Sequence, residues 1–222
     1  MTDCSKPFLE ICREACGADW QQAVEHPFVQ ALARGRLPRA AMQVYQEQDG
    51  LYLVAYVHIC RTLANRTLNS ADSELFERSA VLSEEGESAM QAQLLDKLGL
   101  QLAPKPDPLP TTEAYMRHER HCAEKEPLLV ALAAAAPCNL LYADIGSRLS
   151  QDPRATEGSH PYRVWLDLYA DESVQALASE WEEILNRWAF AESADIRQQA
   201  RAAFVTSVRF EIEFWQQAWA QS

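Results

Sequence analysis

The segment MQVYQEQDGLYLVAYVHICRTL, residues 42–63, places Met42, Tyr45, Asp49, Tyr52, Tyr56, Cys60 and Leu63 at steps of three or four. That spacing gathers all seven on one face of an α-helix. The helix opens at Leu37-Pro38, where the missing N–H of proline costs nothing, and reaches Thr62 or beyond. The same period runs through the rest of the chain. Upstream, Phe8, Cys12, Cys16 and Trp20 recur every four residues, and His26-Pro27 closes or bends that element. Downstream, the pattern predicts helices over 72–98, stopped by Gly99, and over 111–136 after the proline-rich connector 103–110. A shorter helix follows Pro137 to about Leu149, 150–161 is a polar loop, and helices over 162–169, 172–191 and 193–219 complete the chain. No alternating apolar run reads as a strand, and no linker is long enough to divide two cores. The expectation is an all-α fold, a single-domain helical bundle over residues 1–222.

Composition narrows the function. Only 7 of the 222 residues are glycine, too few for the frequent tight turns of an all-β chain. The net charge of −12 argues against nucleic-acid binding, which needs a lysine and arginine footprint to neutralise phosphate. The opening MTDCSKPFLE has neither the basic region nor the apolar run of an export signal. The longest apolar stretch, 127–143, is interrupted by Pro137 and Asn139 and falls short of the ~20 residues of a membrane span, so no membrane partner is expected. Six cysteines, Cys4, Cys12, Cys16, Cys60, Cys122 and Cys138, form no CxxC pair and lie in helical patterns, which suits reduced thiols in a cytoplasm.

Three residues interrupt apolar stripes. Asp49 sits in the middle of the face described above, and Glu211 interrupts the stripe Phe204, Val208, Trp215 and Trp219. A buried charge without partners costs several kcal/mol, so each acid is either paired in a structural network or faces a cavity; periodicity leaves both open. Cys138 follows Pro137 at what the pattern gives as a helix start, where partial positive charge favours thiolate. It is the best nucleophile candidate of the six, with a small buried hydrophobe as the alternative. His118, Glu119 and His121 on one helix and Glu84 and Glu87 on another raise the question of a metal. The Glu-x-x-His motif of bundle metal sites is missing from the 84–87 pair, so both clusters read as solvated polar faces. His58, beside an apolar stripe, reads as a packing residue.

Six short stretches then add up: HPFV at 26–29, GRLP at 35–38, YQEQDGLY at 45–52, PCNLLYADIG at 137–146, YRVWLDLY at 162–169 and FEIEFW at 210–215. In this order they resemble the TenA/thiaminase II family, from Trp20 to Trp219. The resemblance implies a heme-oxygenase-like helical fold without heme, a homotetramer, and hydrolysis of aminomethyl-pyrimidine or thiamin to hydroxymethyl-pyrimidine for thiamin salvage. Carried over by position, it implies Cys138 as nucleophile, Glu211 as the acid of the last helix, Asp49 as the substrate-binding aspartate, and Tyr52, Tyr115, Tyr142 and Tyr169 as pocket tyrosines. It implies a small aminopyrimidine as the partner, with no metal and no organic cofactor. A non-catalytic pyrimidine-binding regulator and a metal-dependent oxidase on the same fold are the alternatives. Leu140, where a tryptophan is frequent, and Gln91, where many members carry histidine, depart from the pattern and bear on the pocket wall and its lid. The loop 150–161 is also slightly longer than usual.

Overall fold

A computed structural model describes residues 6–156 and 158–220; Cys4 lies outside them. The described residues form helices α1 (Phe8–Cys16), α2 (Asp19–Val24), α3 (Pro27–Ala33), α4 (Arg39–Arg66), α5 (Ser70–Val81), α6 (Ser88–Leu98), α7 (Pro110–Lys125), α8 (Leu128–Ser150), α9 (Pro153–Thr156), α10 (Arg163–Ala170), α11 (Glu172–Ala191) and α12 (Ala194–Trp219). A π-helical turn, Leu82–Glu87, joins α5 to α6 without a break. No strand occurs among the described residues, so the all-α expectation holds.

Most stops and starts follow local chemistry. Gly99 ends α6 in the left-handed region, φ 59°, where glycine carries no Cβ penalty. Asn69, Asp171 and Ser193 cap α5, α11 and α12 by accepting from backbone N–H groups of the first turn. Three expectations are corrected. His26-Pro27 opens a helix: Pro27 is the first residue of α3, and His26 Nδ1 accepts from the Phe28 amide at 3.2 Å. The break expected at Pro137 occurs at Pro127, just before α8, and Pro137 lies inside that helix. The loop 150–161 contains the short α9.

With Pro137 inside it, α8 is 23 residues long, and by length and composition it could cross a membrane. It is nonetheless the central helix of the core, with most of its side chains buried, and it packs against α12, α11, α10 and α7. α4 lies against α5, α7 and the π-helical turn, and meets α12 and α8. Trp215 of α12 stacks between these layers, 5.1 Å from Phe28, 5.4 Å from Tyr45 and 5.2 Å from Tyr142, centroid to centroid. Such pairs add about 1 kcal/mol each beyond the area they bury.

The tightest approach lies where α8 meets the end of α10. A Cβ on Gly146 would stand 2.0 Å from the Tyr169 carbonyl oxygen, so only glycine lets Tyr169 come up beside Tyr142. Alanine is ordinarily about 1 kcal/mol better than glycine in a helix. Here overlap with backbone outweighs that gain, and Gly146→Ala is expected to lower stability by about 2 kcal/mol, read as a fall in the urea midpoint. An unchanged or raised midpoint would show that the helices part at no cost.

Candidate active site

Asp49, Tyr52 and Leu53 of α4, Leu82 and Glu87 of the π-helical turn, Cys138, Asn139 and Tyr142 of α8, Tyr169 of α10 and Val174 of α11 enclose a narrow cavity. Its volume is about 20 Å³, the room of one water-sized group. Five of the seven expected site residues line it: Asp49, Tyr52, Cys138, Tyr142 and Tyr169. The other two, Tyr115 of α7 and Glu211 of α12, form a buried layer behind it. Tyr115 donates its hydroxyl to Glu211 Oε1 at 2.8 Å and stacks on Tyr52 at 4.9 Å.

The structure also corrects the sequence reading here. Cys138 is not at a helix start. It lies within α8, so the helix N-terminus does not favour its thiolate. Burial raises its thiol well above the ordinary range, and the charges of Glu211, Glu87 and Glu119 raise it further. Only the Tyr52 hydroxyl, which lines the same cavity, opposes them. Asn139 next to it donates at 2.6 Å to the Tyr56 hydroxyl, which donates to the Ala135 carbonyl at 3.2 Å, so polar groups of α4 hold α8 on both sides of Pro137.

Nor are Glu87 and Glu119 parts of solvated faces. Glu119 is fully buried and accepts from Tyr52 at 3.1 Å, and Glu87 is buried, with Ser83 and Tyr169 opposing the upward shift that burial gives its carboxyl. Two of their neighbours turn away, His121 meeting Glu126 at 3.2 Å on the outside of α7 and Glu84 pairing with Arg61, whereas His118 is half-buried, 5.7 Å from the Phe210 ring. His58 is exposed, 3.6 Å from Glu124, and is not a packing residue. Leu140 and Gln91 are not in the cavity lining, and Gln91 instead donates to the Gln46 carbonyl of α4 at 2.9 Å. A signal for both missed acids existed. Thr112, Tyr115, Glu119 and Cys122 share one stripe, as do Glu87, Met90, Leu94 and Leu98.

Four carboxyls and a thiol thus meet in the core, partnered by hydroxyls. Burial pushes Glu211 and Glu87 up to about 7, against hydrogen bonds from Tyr115 in the first case and Ser83 and Tyr169 in the second. Burial likewise raises Asp49 and Glu119 well above the carboxylate range, with Glu211 adding to both. Asp49 Oδ2 and Glu119 Oε2 are buried without a partner. A neutral carboxylic acid at Asp49 presents an O–H donor and a C=O acceptor side by side. That pair complements a ring nitrogen adjacent to an amino group.

The sequence profile of the TENA/THI-4/PQQC family matches residues 15–221. The chain belongs to the TENA/THI-4/PQQC family. It is 30% identical to the aminopyrimidine aminohydrolase of Halalkalibacterium halodurans, over 90% of this chain and 90% of that one. It is 26% identical to the aminopyrimidine aminohydrolase of Bacillus subtilis, over 96% of this chain and 89% of the other. Among solved structures, a TenA homologue from P. horikoshii OT3 superposes with a TM-score of 0.85 at 26% identity, covering 98% of this chain and 100% of its own. The family's helical fold is therefore the fold of this chain.

The buried acids make stability depend on pH. A carboxyl at about 7 in the folded chain and near 4.5 when unfolded holds its proton better folded, so its contribution is present below about pH 4.5 and is lost as pH rises through about 7. Glu211→Gln keeps an acceptor for Tyr115 and cannot ionise. It is expected to match wild type at pH 5 and to exceed it at pH 8 by on the order of 2 kcal/mol in urea unfolding. A variant less stable than wild type at pH 8 would contradict this.

Proposed function

We propose that the chain is an aminopyrimidine aminohydrolase of the thiaminase II type. In this reading it hydrolyses an aminomethyl-aminopyrimidine, or thiamin, to hydroxymethyl-pyrimidine for thiamin salvage, with Cys138 as nucleophile. The observation that carries this reading is the unpartnered, buried Asp49 Oδ2 in the same small cavity as Cys138. One wall recognises the amino-pyrimidine edge and the other attacks the ring. The similarity to relatives named aminopyrimidine aminohydrolase supports the same chemistry.

In the reaction, Asp49 donates to a ring nitrogen and accepts from the 4-amino group, while Tyr142 and Tyr169, 4.8 Å apart, pack against the ring. Because a pyrimidine is larger than the cavity, the wall must part to admit it. Cys138 sulfur bonds to a ring carbon. The thiol proton passes to the Glu211 carboxylate and on to a ring nitrogen, so the ring accepts the electron pair without building charge. The ring's amino group then expels the exocyclic group, giving up a proton as it does so: ammonia leaves from aminomethyl-pyrimidine, the thiazole from thiamin. Water adds to the methylene, and departure of the sulfur as the thiol restores the aromatic ring, consuming one water for each group released. With Glu211 at about 7, acid and carboxylate forms are both present near neutral pH, as a shuttling group requires.

The assembly belongs to the same proposal: a homotetramer of 25.0 kDa chains, in a reducing cytoplasm that keeps Cys12, Cys16, Cys60, Cys122 and Cys138 as free thiols. Exposed Val54, Leu68 and Phe190 support coverage by neighbouring subunits. Light scattering is expected to return four chain masses, and a monomer at micromolar concentration would refute the assembly.

The test of function is a panel of aminomethyl-pyrimidine, its formylated form and thiamin, with detection of hydroxymethyl-pyrimidine. Cys138→Ser is expected to abolish product while still binding the pyrimidine. Glu211→Gln should lower kcat by on the order of 10²–10⁴-fold. Asp49→Ala should mainly raise KM, and Glu213→Gln, on the exposed side of α12, should do neither. Full activity of Cys138→Ser would overturn the covalent route, and no turnover of any pyrimidine by the wild type would overturn the function.

A further inference from the structure

The site contains two tyrosine–glutamate pairs whose rings stack. Tyr115 with Glu211 serves the reaction described above, on which this inference rests. Tyr52 with Glu119 has no part in it, yet Tyr52 lines the cavity beside Cys138. Glu119 is fully buried, and its Oε2 has no partner. The groups that face it are Tyr52, Tyr56 and Cys60 of α4, Tyr115 and Cys122 of its own helix, Cys138 of α8 and Glu211 of α12. None is a cation. An ionised carboxylate in that company leaves one oxygen uncompensated, whereas a neutral acid leaves only a carbonyl oxygen unpaired, at much lower cost.

The Tyr52 hydroxyl has a single hydrogen, which it gives to Glu119 Oε1 at 3.1 Å, and Cys138 lines the same narrow cavity as Tyr52. When Tyr52 donates to Glu119, the sulfur receives no hydrogen bond from it. When Glu119 carries a proton on Oε1, the direction reverses: the acid donates to the phenolic oxygen, and the phenolic hydrogen is free to turn to the sulfur. We propose that Glu119 is a positioning residue for Cys138, acting through Tyr52: its protonated carboxyl donates to the Tyr52 oxygen and thereby directs the Tyr52 hydrogen onto the sulfur, holding it as the attacking thiolate. Glu119 itself touches neither the sulfur nor the ring. Only hydrogen-bond directions change, so no proton is gained or lost in the device. It supplies, from two buried neutral groups, the stabilisation that a helix N-terminus would have given had α8 begun at Cys138.

The test reads the thiol without any substrate. The rate of Cys138 alkylation by iodoacetamide is followed against pH by peptide mass spectrometry in the full chain. Glu119→Leu, which fills the volume and cannot donate, is expected to slow alkylation at pH 7 by about tenfold or more, the scale of a hydrogen bond to a charged group, and to move its midpoint to higher pH. Glu119→Gln, whose amide N–H can donate to the Tyr52 oxygen, should stay within about threefold of wild type. Glu119→Asp, one methylene short of Tyr52, should follow the leucine variant, and it decides the matter if that variant does not fold. In a Tyr52→Phe background Glu119→Leu should have no further effect, because its influence runs through that hydroxyl. With an aminomethyl-pyrimidine, kcat should fall in step with alkylation while KM changes less than about threefold. Wild-type alkylation and pH midpoint in Glu119→Leu or Glu119→Asp, or an undiminished effect without the Tyr52 hydroxyl, would overturn the proposal. Failure to turn over pyrimidines would overturn the function but leave the alkylation result standing.

Discussion

Asp49, Glu87, Glu119 and Glu211 are buried beside the half-buried Cys138, and the groups that act on them are hydroxyls and each other. Full ionisation of four carboxyls there would cost far more than the ~5–15 kcal/mol that stabilises a typical domain. The region therefore has to keep protons, and every carboxyl in it is displaced upward. This constraint turns acids that would be inert anions on a surface into donors and acceptors near neutral pH. It also explains why tyrosines surround them, since a phenol can donate to a carboxylate or accept from an acid without adding charge.

The fold exists around that cluster in a literal sense. α4 supplies Asp49 and Tyr52, α7 supplies Tyr115 and Glu119, α8 supplies Cys138 and Tyr142, α12 supplies Glu211, and the π-helical turn presents Glu87. Long helices fix these positions more rigidly than loops could. The π turn carries the buried Ser83 and Glu87, and such turns are frequent at functional sites. Aromatic stacking around Trp215 and the bare backbone contact at Gly146 set the distance between α8 and its neighbours, and so the width of the cavity.

Much of this was legible in residue spacing. The period of 3.6 gave the all-α class and most helices, and of the three stripe interruptions Asp49 and Cys138 line one cavity while Glu211 lies behind it. Proline misled twice, because its effect depends on position: Pro27 and Pro127 stand at helix starts, while Pro137 lies within a helix whose Ala135 carbonyl accepts from Tyr56 of α4, itself held by Asn139 of the same helix. That error also lent Cys138 a helix terminus it does not have. Glu87 and Glu119 were hidden for a different reason. Each sits among charged neighbours in sequence, such as Glu84, Glu85, Arg117 and Arg120, so local polarity masked the stripe that buries them. The tyrosine pairing that makes their burial tolerable is a contact between distant helices, which spacing within one helix does not show.

The claim on which the rest depends is that protonated carboxyls persist in the core at neutral pH. Infrared spectroscopy of the protein with isotopically labelled aspartate and glutamate side chains tests it directly, because a carboxylic acid and a carboxylate absorb at separate positions. At pH 7 a protonated-carboxyl band is predicted, diminished in Asp49→Asn and again in Glu119→Gln. A spectrum with carboxylate absorption alone, from which both variants remove only carboxylate, would contradict the account.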